Sequence, residues 1–243
     1  MARLPLIDPA VTSGDIRASF DRMPVVLNIF RMMAHAEANF IPAMRYANSI
    51  LHKQKLSHVN RELLILQVAQ REKGVYEWRQ HVPIALGVGV TQRQIDCIEQ
   101  GSYEDAAFNA AEQALLAFGR EVIDNVRVAE PVFAAMRQHF SAQEIVESIL
   151  AIGFYMTMAR LTEATDVDLD PAAGFFGHRI AKALQPFVER VVGGKRGVDA
   201  QRIVGRHSGG GQCRERKAGE RLQGQGIHDA PPRTGSFTTS SVD

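Results

Sequence analysis

The chain has 243 residues, of which 45% are hydrophobic, with 28 Lys/Arg against 27 Asp/Glu and a formal net charge of +1. This is enough apolar material for a sizeable core, and a charge too balanced to predict nucleic-acid or membrane binding through an electrostatic footprint. The two cysteines, Cys97 and Cys213, lie far apart with no CxxC, which argues against a disulfide framework or dithiol centre and fits a reduced, cytoplasmic setting.

The opening MARLPLIDPA has no continuous apolar run of the signal-peptide kind, and Pro5 and Pro9 suggest an extended lead up to Ser13. A first helix is expected to start near Gly14 or Asp15 and to be interrupted by Pro24. The segment Val25–Ala36 carries Val26, Ile29, Phe30 and Met33 at spacings of three and four, which predicts an amphipathic helix with Met32 and Met33 as core filler. Asn39–Lys53 reads as a further helix with Pro42 in its first turn.

Ser57 then reads as an N-cap for a helix Val59–Arg71, whose LLILQVA is apolar nearly all round and therefore predicts burial. Glu62 sits near its start. A carboxylate there either satisfies backbone donors and complements the helix dipole, or projects into a site where burial raises its pKa. Gly74 reads as the C′ glycine that ends this helix, and another begins at about Val75. On that helix Glu77 and His81 stand four residues apart and so point into one region. Tyr76 and the chain's single tryptophan, Trp78, lie beside them, and Pro83 removes a donor in the next turn. Polar groups converging on a helix start and backed by an apolar helix predict a small pocket.

Further on, Thr91 and Gln94 form a T-x-x-Q capping box for a short helix carrying Cys97 as a small buried hydrophobe. Asn109 and Glu112 open a helix Ala110–Asn125 with Ala114, Leu115, Phe118 and Val122 inward, and Pro131 opens another that runs to His139. Ser141 and Glu144 cap a long helix Ile145–Glu163, where Ile149, Leu150, Ile152, Phe154 and Met156 imply burial on several sides. Its polar exceptions, Glu147, Tyr155 and Arg160, suit helix or subunit contacts, with pocket lining as the alternative. The uncharged apolar stretch Ser148–Ala159 is far short of the ~20 residues of a spanning helix. His35, His52, His58, His139 and His178 are scattered singly, with neither HExxH nor CxxC, so no metal site is expected. After Pro171, Phe175, Phe176, Ile180, Leu184, Phe187, Val188 and Val191 suggest a last helix kinked at Pro186. Residues 193–243 hold eleven of the twenty glycines and nine Lys/Arg against five Asp/Glu, the composition of a disordered tail. A helical domain over residues 1–192 and a tail over 193–243 are therefore expected.

The run RELLILQVAQ, followed by YEWRQHVPIALGVGVTQRQI, resembles the first signature of the carboxymuconolactone decarboxylase family, which includes the alkylhydroperoxidase D-like proteins. The stretch HFSAQEIVESILAIGFYMTMARLTEATDVDL resembles the second, so the likeness spans roughly residues 21–170. It implies an all-α, alkylhydroperoxidase D-like helical bundle, oligomeric as a dimer, trimer or hexamer, with the active site around the first signature and near a subunit boundary. Residue by residue, His81 matches the family's histidine and Glu62 its upstream glutamate. The two cysteine positions of the peroxidase-supporting branch are Gly74 and Glu77, which removes the thiolate and its resolving partner. Glu77 to His81 instead matches the EWxxH of the decarboxylase-like branch, which implies no metal or organic cofactor.

The chemistry that follows is acid–base chemistry on a small-molecule substrate, resembling that of 4-carboxymuconolactone decarboxylase. His81 is the expected general acid/base, Glu77 or Glu62 orients its ring, Tyr76 donates to a developing oxyanion, and Trp78 contacts substrate. The alternative is a peroxiredoxin-type antioxidant or a non-catalytic ligand binder of the same fold. The remaining partner expected is the chain itself, as a homo-oligomer, with neither nucleic acid nor membrane.

Overall fold

The structure is a computed structural model and describes residues 1–23 and 25–170. Among them are nine α-helices, a 3₁₀ turn at Pro9–Val11, and no strand. The helices are α1 Gly14–Arg22, α2 Asn28–Met33, α3 Glu37–Lys53, α4 His58–Arg71, α5 Val75–Val88, α6 Gln92–Glu99, α7 Ala110–Asn125, α8 Glu130–His139 and α9 Ala142–Thr165. The expected final helix after Pro171 and the 193–243 tail lie outside the described residues.

The centre of the bundle is α4, packed against α5, α6, α7 and α9. Every residue from Arg61 to Ala69 is buried, and Leu63, Leu64, Ile65, Leu66 and Val68 are at most 1% exposed. Burying each such leucine is worth roughly 1.5–3 kcal/mol relative to exposure, so this one helix gathers much of the apolar driving force. Close approach is also built in against α7: a Cβ on Gly119 would meet Gln67 Oε1 at 2.3 Å and Leu64 Cδ2 at 2.8 Å. The capping boxes of α6, α7 and α9 form as the sequence predicts, with Thr91–Gln94, Asn109–Glu112 and Ser141–Glu144 each making both reciprocal bonds.

Three local expectations are corrected. The second helix is shorter than Val25–Ala36: Leu27 is extended, and Asn28 N donates to Asp170 Oδ1 at 3.0 Å, which fixes the helix start. At its other end, His35 and Ala36 close three-residue turns onto Met32 and Met33, and the chain passes into α3 at Glu37. Pro42 consequently lies inside α3, beyond its first turn. The third correction concerns Gly74, which is not the left-handed residue ending α4. Lys73 takes that conformation (φ 57°), while Gly74 N bonds Ala69 O at 2.8 Å and Lys73 N bonds Gln70 O at 3.4 Å, a Schellman arrangement. Gly74 itself has φ −74° and is the N-cap of α5.

The last of the described helices, α9, is 24 residues long and by length and composition could cross a membrane, with half of its most apolar window buried inside the fold. The expectation based on Ser148–Ala159 counted only the uncharged stretch. After α9, Asp166 turns the chain in a left-handed conformation, and the segment that follows fastens to the start of the chain. Arg3 N bonds Thr165 O at 2.8 Å, and Ala2 N bonds Asp168 Oδ2 at 3.2 Å.

Candidate active site

The packing of α4 on α5 brings together two groups nineteen positions apart. Glu62, fully buried in the first turns of α4, accepts from His81 Nδ1 on α5 at 2.8 Å through Oε2. Its other oxygen, Oε1, accepts from Arg61 Nη2 at 3.2 Å and Nε at 3.4 Å. Burial alone would raise the Glu62 pKa, but the charge and hydrogen bond of His81, followed by those of Arg61, outweigh it and hold the carboxyl below its ordinary value. An ionised carboxylate only accepts, so Nδ1 of His81 is the donor and Nε2 carries the lone pair when the ring is neutral.

Arg61 is itself only 3% exposed. Its Nη1 donates to Leu51 O at 2.8 Å, where α3 approaches its end, and contacts His58 Nδ1 at 2.7 Å. Burial, followed by the Arg61 charge, pushes the pKa of His58 down.

Glu77, 3% exposed at the start of α5, faces α9. Thr162 Oγ1 lies 3.0 and 3.2 Å from its two oxygens and within reach of the carbonyls of Met158 and Ala159. Burial raises the Glu77 pKa, and the opposing pull of its own backbone N–H, Thr162 and His81 is too weak to cancel that rise. The two carboxyl groups near His81 are therefore displaced in opposite directions. Tyr155 of α9 packs edge-on against the His81 ring, with centroids 4.9 Å apart. Burial, reinforced by the negative charge of Glu62, keeps its hydroxyl a phenol.

Of the residues expected at the site, Glu62, Glu77 and His81 converge. The ring's partner is Glu62 and not Glu77, although Glu77 has the helical spacing. Tyr76 is buried, but its hydroxyl donates to Asp170 and accepts from Ile29 N at 3.3 Å, so its bonds run to α2 and the end of the bundle rather than to Glu62 or His81. Trp78 is half-buried in a shallow groove of about 210 Å³ with Gln70, Lys73, Gly74, Arg79 and Glu99; His81 is not part of its lining. Arg61 and Thr162 were not singled out from the sequence. Arg61 beside Glu62 reads as an ordinary charged pair until LLILQVA is seen to enclose it, and Thr162 carries no signal of its own. Among the described residues no group of three His, Cys, Asp or Glu is placed to hold a metal ion.

A helical bundle encloses the buried His81–Glu62 pair, and comparison with solved structures finds the same fold among AhpD-like proteins. Residues 41–119 match the model of the carboxymuconolactone decarboxylase family. A peroxidase-related protein with the AhpD core from Ralstonia eutropha JMP134 superposes with a TM-score of 0.62 at 21% identity, covering 70% of this chain and 92% of that one. Another peroxidase-related protein, from Silicibacter sp. TM1040, gives a TM-score of 0.61 at 17% identity, with coverages of 72% and 95%. The debrominase Bmp8, as a cysteine variant bound to 2,3,4-tribromopyrrole, gives 0.55 at 14% identity, with coverages of 72% and 89%. No curated protein matches the chain.

Proposed function

We propose that the chain is a cofactor-independent lyase or isomerase that acts by acid–base chemistry on a small carboxylated lactone or related acid. The observation that carries this reading is the 2.8 Å bond of buried Glu62 to His81 Nδ1 with a second buried carboxyl group, Glu77, one turn before the histidine; their surroundings favour the ionised form of Glu62 and the protonated form of Glu77. Environments that push neighbouring titratable groups apart separate a base from an acid at a single pH. In a decarboxylation, the electron pair of the C–CO₂ bond moves into a conjugated carbonyl, CO₂ departs, and the resulting dienolate takes a proton at carbon. Glu77 supplies a proton or hydrogen bond to the developing oxyanion, and His81, held by Glu62, manages the proton at carbon. Tyr155 replaces Tyr76 as the phenol beside the ring. Trp78 retains a substrate-contacting role as the aromatic wall of a groove that also holds Gly74; a Cβ on Gly74 would lie 3.0 Å from Glu77 Oε2.

The thiol-peroxidase alternative is disfavoured by the same residues: positions 74 and 77 are Gly and Glu, and Cys97 is buried in α6. Self-association is part of the proposal, because α9 leaves Val146, Ile149 and Leu150 exposed on the side away from the core.

The test is turnover of a panel of lactones and unsaturated carboxylic acids, followed by chromatography and CO₂ release. His81→Ala is expected to lose on the order of 10²–10⁴-fold in kcat with unchanged helicity. An active His81→Ala variant destabilised by about 3 kcal/mol or more would make His81 structural and end the acid–base reading.

A further inference from the structure

We infer that Arg61 is a positioning residue, anchored between Leu51 O and the His58 ring, which turns the Glu62 carboxylate onto Nδ1 of His81 and so leaves Nε2 of His81 as its basic atom. This rests on the acid–base reading above but is tested separately from it.

The bonding pattern fixes which atoms carry protons. A guanidinium donates and cannot accept, so His58 Nδ1, 2.7 Å from Arg61 Nη1, must be an acceptor, and the proton of that ring sits on Nε2. The same Nη1 donates to Leu51 O at 2.8 Å. One edge of the guanidinium is thus held by a backbone carbonyl of α3 and by a ring one turn earlier on α4. The remaining nitrogens, Nε and Nη2, both reach Glu62 Oε1. With Oε1 occupied from one side, Oε2 is the oxygen left for His81 Nδ1, and it lies 2.8 Å away. A lone buried carboxylate could rotate, or bond the ring through either nitrogen. A carboxylate tied by a planar fork that is itself anchored at two points has far less freedom to do so.

Two features argue against Arg61 as a mere counter-ion. Its contacts to Leu51 and His58 add nothing to charge neutralisation, yet they set where the guanidinium sits. A point charge at this distance would also neutralise Glu62, but would not choose between its oxygens. The other titratable groups whose fields reach this chain are His52 from α3, Glu77 from α5 and Tyr155 from α9. None of these three hydrogen-bonds Glu62.

The experiment reads the ring directly. In the full-length protein labelled with ¹⁵N-histidine, long-range ¹H–¹⁵N spectra above the titration range report the His81 tautomer, with no substrate needed. The wild type is expected to be predominantly Nδ1–H. Arg61→Met should raise the Nε2–H population several-fold. Arg61→Lys, which keeps the charge but loses the fork, should restore it only in part. Where a substrate is in hand, kcat should fall on the order of 10- to 100-fold in Arg61→Met with KM changed far less, as expected for a misdirected base. Should Arg61→Met fail to fold, His58→Phe, which removes one anchor at a half-buried ring, should shift the same tautomer in the same direction by a smaller amount. An unchanged His81 tautomer in folded Arg61→Met, or in both Arg61→Lys and His58→Phe, overturns the inference. A shifted tautomer in a protein that turns over nothing would leave Arg61 in this role and sink the acid–base function instead.

Discussion

Helices α4 and α9 carry the same sequence signal and meet different fates. Each is apolar nearly all round, but α4 is enclosed from Arg61 to Ala69, whereas α9 buries Ile145, Ala151, Ile152, Phe154, Tyr155 and Met158 and leaves Val146, Ile149 and Leu150 bare. The difference lies in their neighbours. α4 is enclosed by α5, α6, α7 and α9, while α3, α4, α5, α7 and α8, all of which meet α9, still leave part of its surface uncovered. Apolar periodicity reports that a face is to be covered, not what covers it. The charged residues follow the same division: the Arg61–Glu62 pair of α4 is almost fully buried, and Arg160 on α9 meets Glu72 with its side chain 64% exposed.

Breaking the buried pair should have the largest effect. Glu62→Ala leaves Arg61 and His81 enclosed without their carboxylate, and a loss of ~3–5 kcal/mol is expected in urea unfolding followed by circular dichroism. Next come the aliphatic residues. Leu66→Ala, at a fully buried position, should cost ~2–5 kcal/mol. Leu150→Ser, at a side chain 44% exposed, should stay within about 0.5 kcal/mol for the isolated chain. Sedimentation equilibrium sharpens the contrast, because a bare α9 face that joins copies predicts an assembly that Leu150→Ser weakens. A wild-type monomer at micromolar concentration would remove the self-association proposal.

The two carboxyl groups near His81 should give stability–pH curves of opposite slope. Glu62 has a lowered folded pKa, so its contribution is present above the unfolded carboxylate value and fades as pH falls through the folded one. Glu77 has a raised folded pKa, so its contribution is full below the unfolded value and is lost as pH rises through the folded one. Glu77→Gln should therefore gain stability relative to wild type as pH rises from about 4 toward neutrality, measured by thermal melts across pH. A constant difference over that range would contradict the buried, proton-favouring environment described for Glu77. A similarly small effect is expected for Arg160→Ala, about 0.2–1 kcal/mol and reduced by salt, against the several kcal/mol of the pair inside α4.

Much of the fold was legible because caps and apolar stripes are local. α7 begins and ends where Asn109, Glu112 and its inward residues place it, and the burial of α4 follows from LLILQVA. The site was less so. Helical spacing offered Glu77 as the partner of His81, and the structure pairs His81 with Glu62, a contact that exists only once α4 packs on α5. Glu62 entered the expected set through its place in a buried helix and through the family resemblance, not through spacing to His81. Tyr76 was adjacent in sequence yet turns to Asp170, because successive residues on a helix diverge by about 100°. Glycine after a helix ordinarily supplies a left-handed residue, which makes Gly74 read as a stop signal; Lys73 adopts that conformation here, and the glycine answers to its neighbours instead.

That glycine imposes an order on the routes by which such a chain could acquire paired thiols. A side chain at position 74 would start 3.0 Å from both Ala159 Cβ and Glu77 Oε2, so a cysteine introduced there first must displace a methyl group and a carboxylate by a few tenths of an ångström. Exchanging Glu77 for cysteine beforehand removes the carboxylate and leaves only the methyl group to yield. The two changes are therefore not independent steps. A cysteine at position 74 would fit with less displacement of its neighbours once position 77 is cysteine than while Glu77 stands.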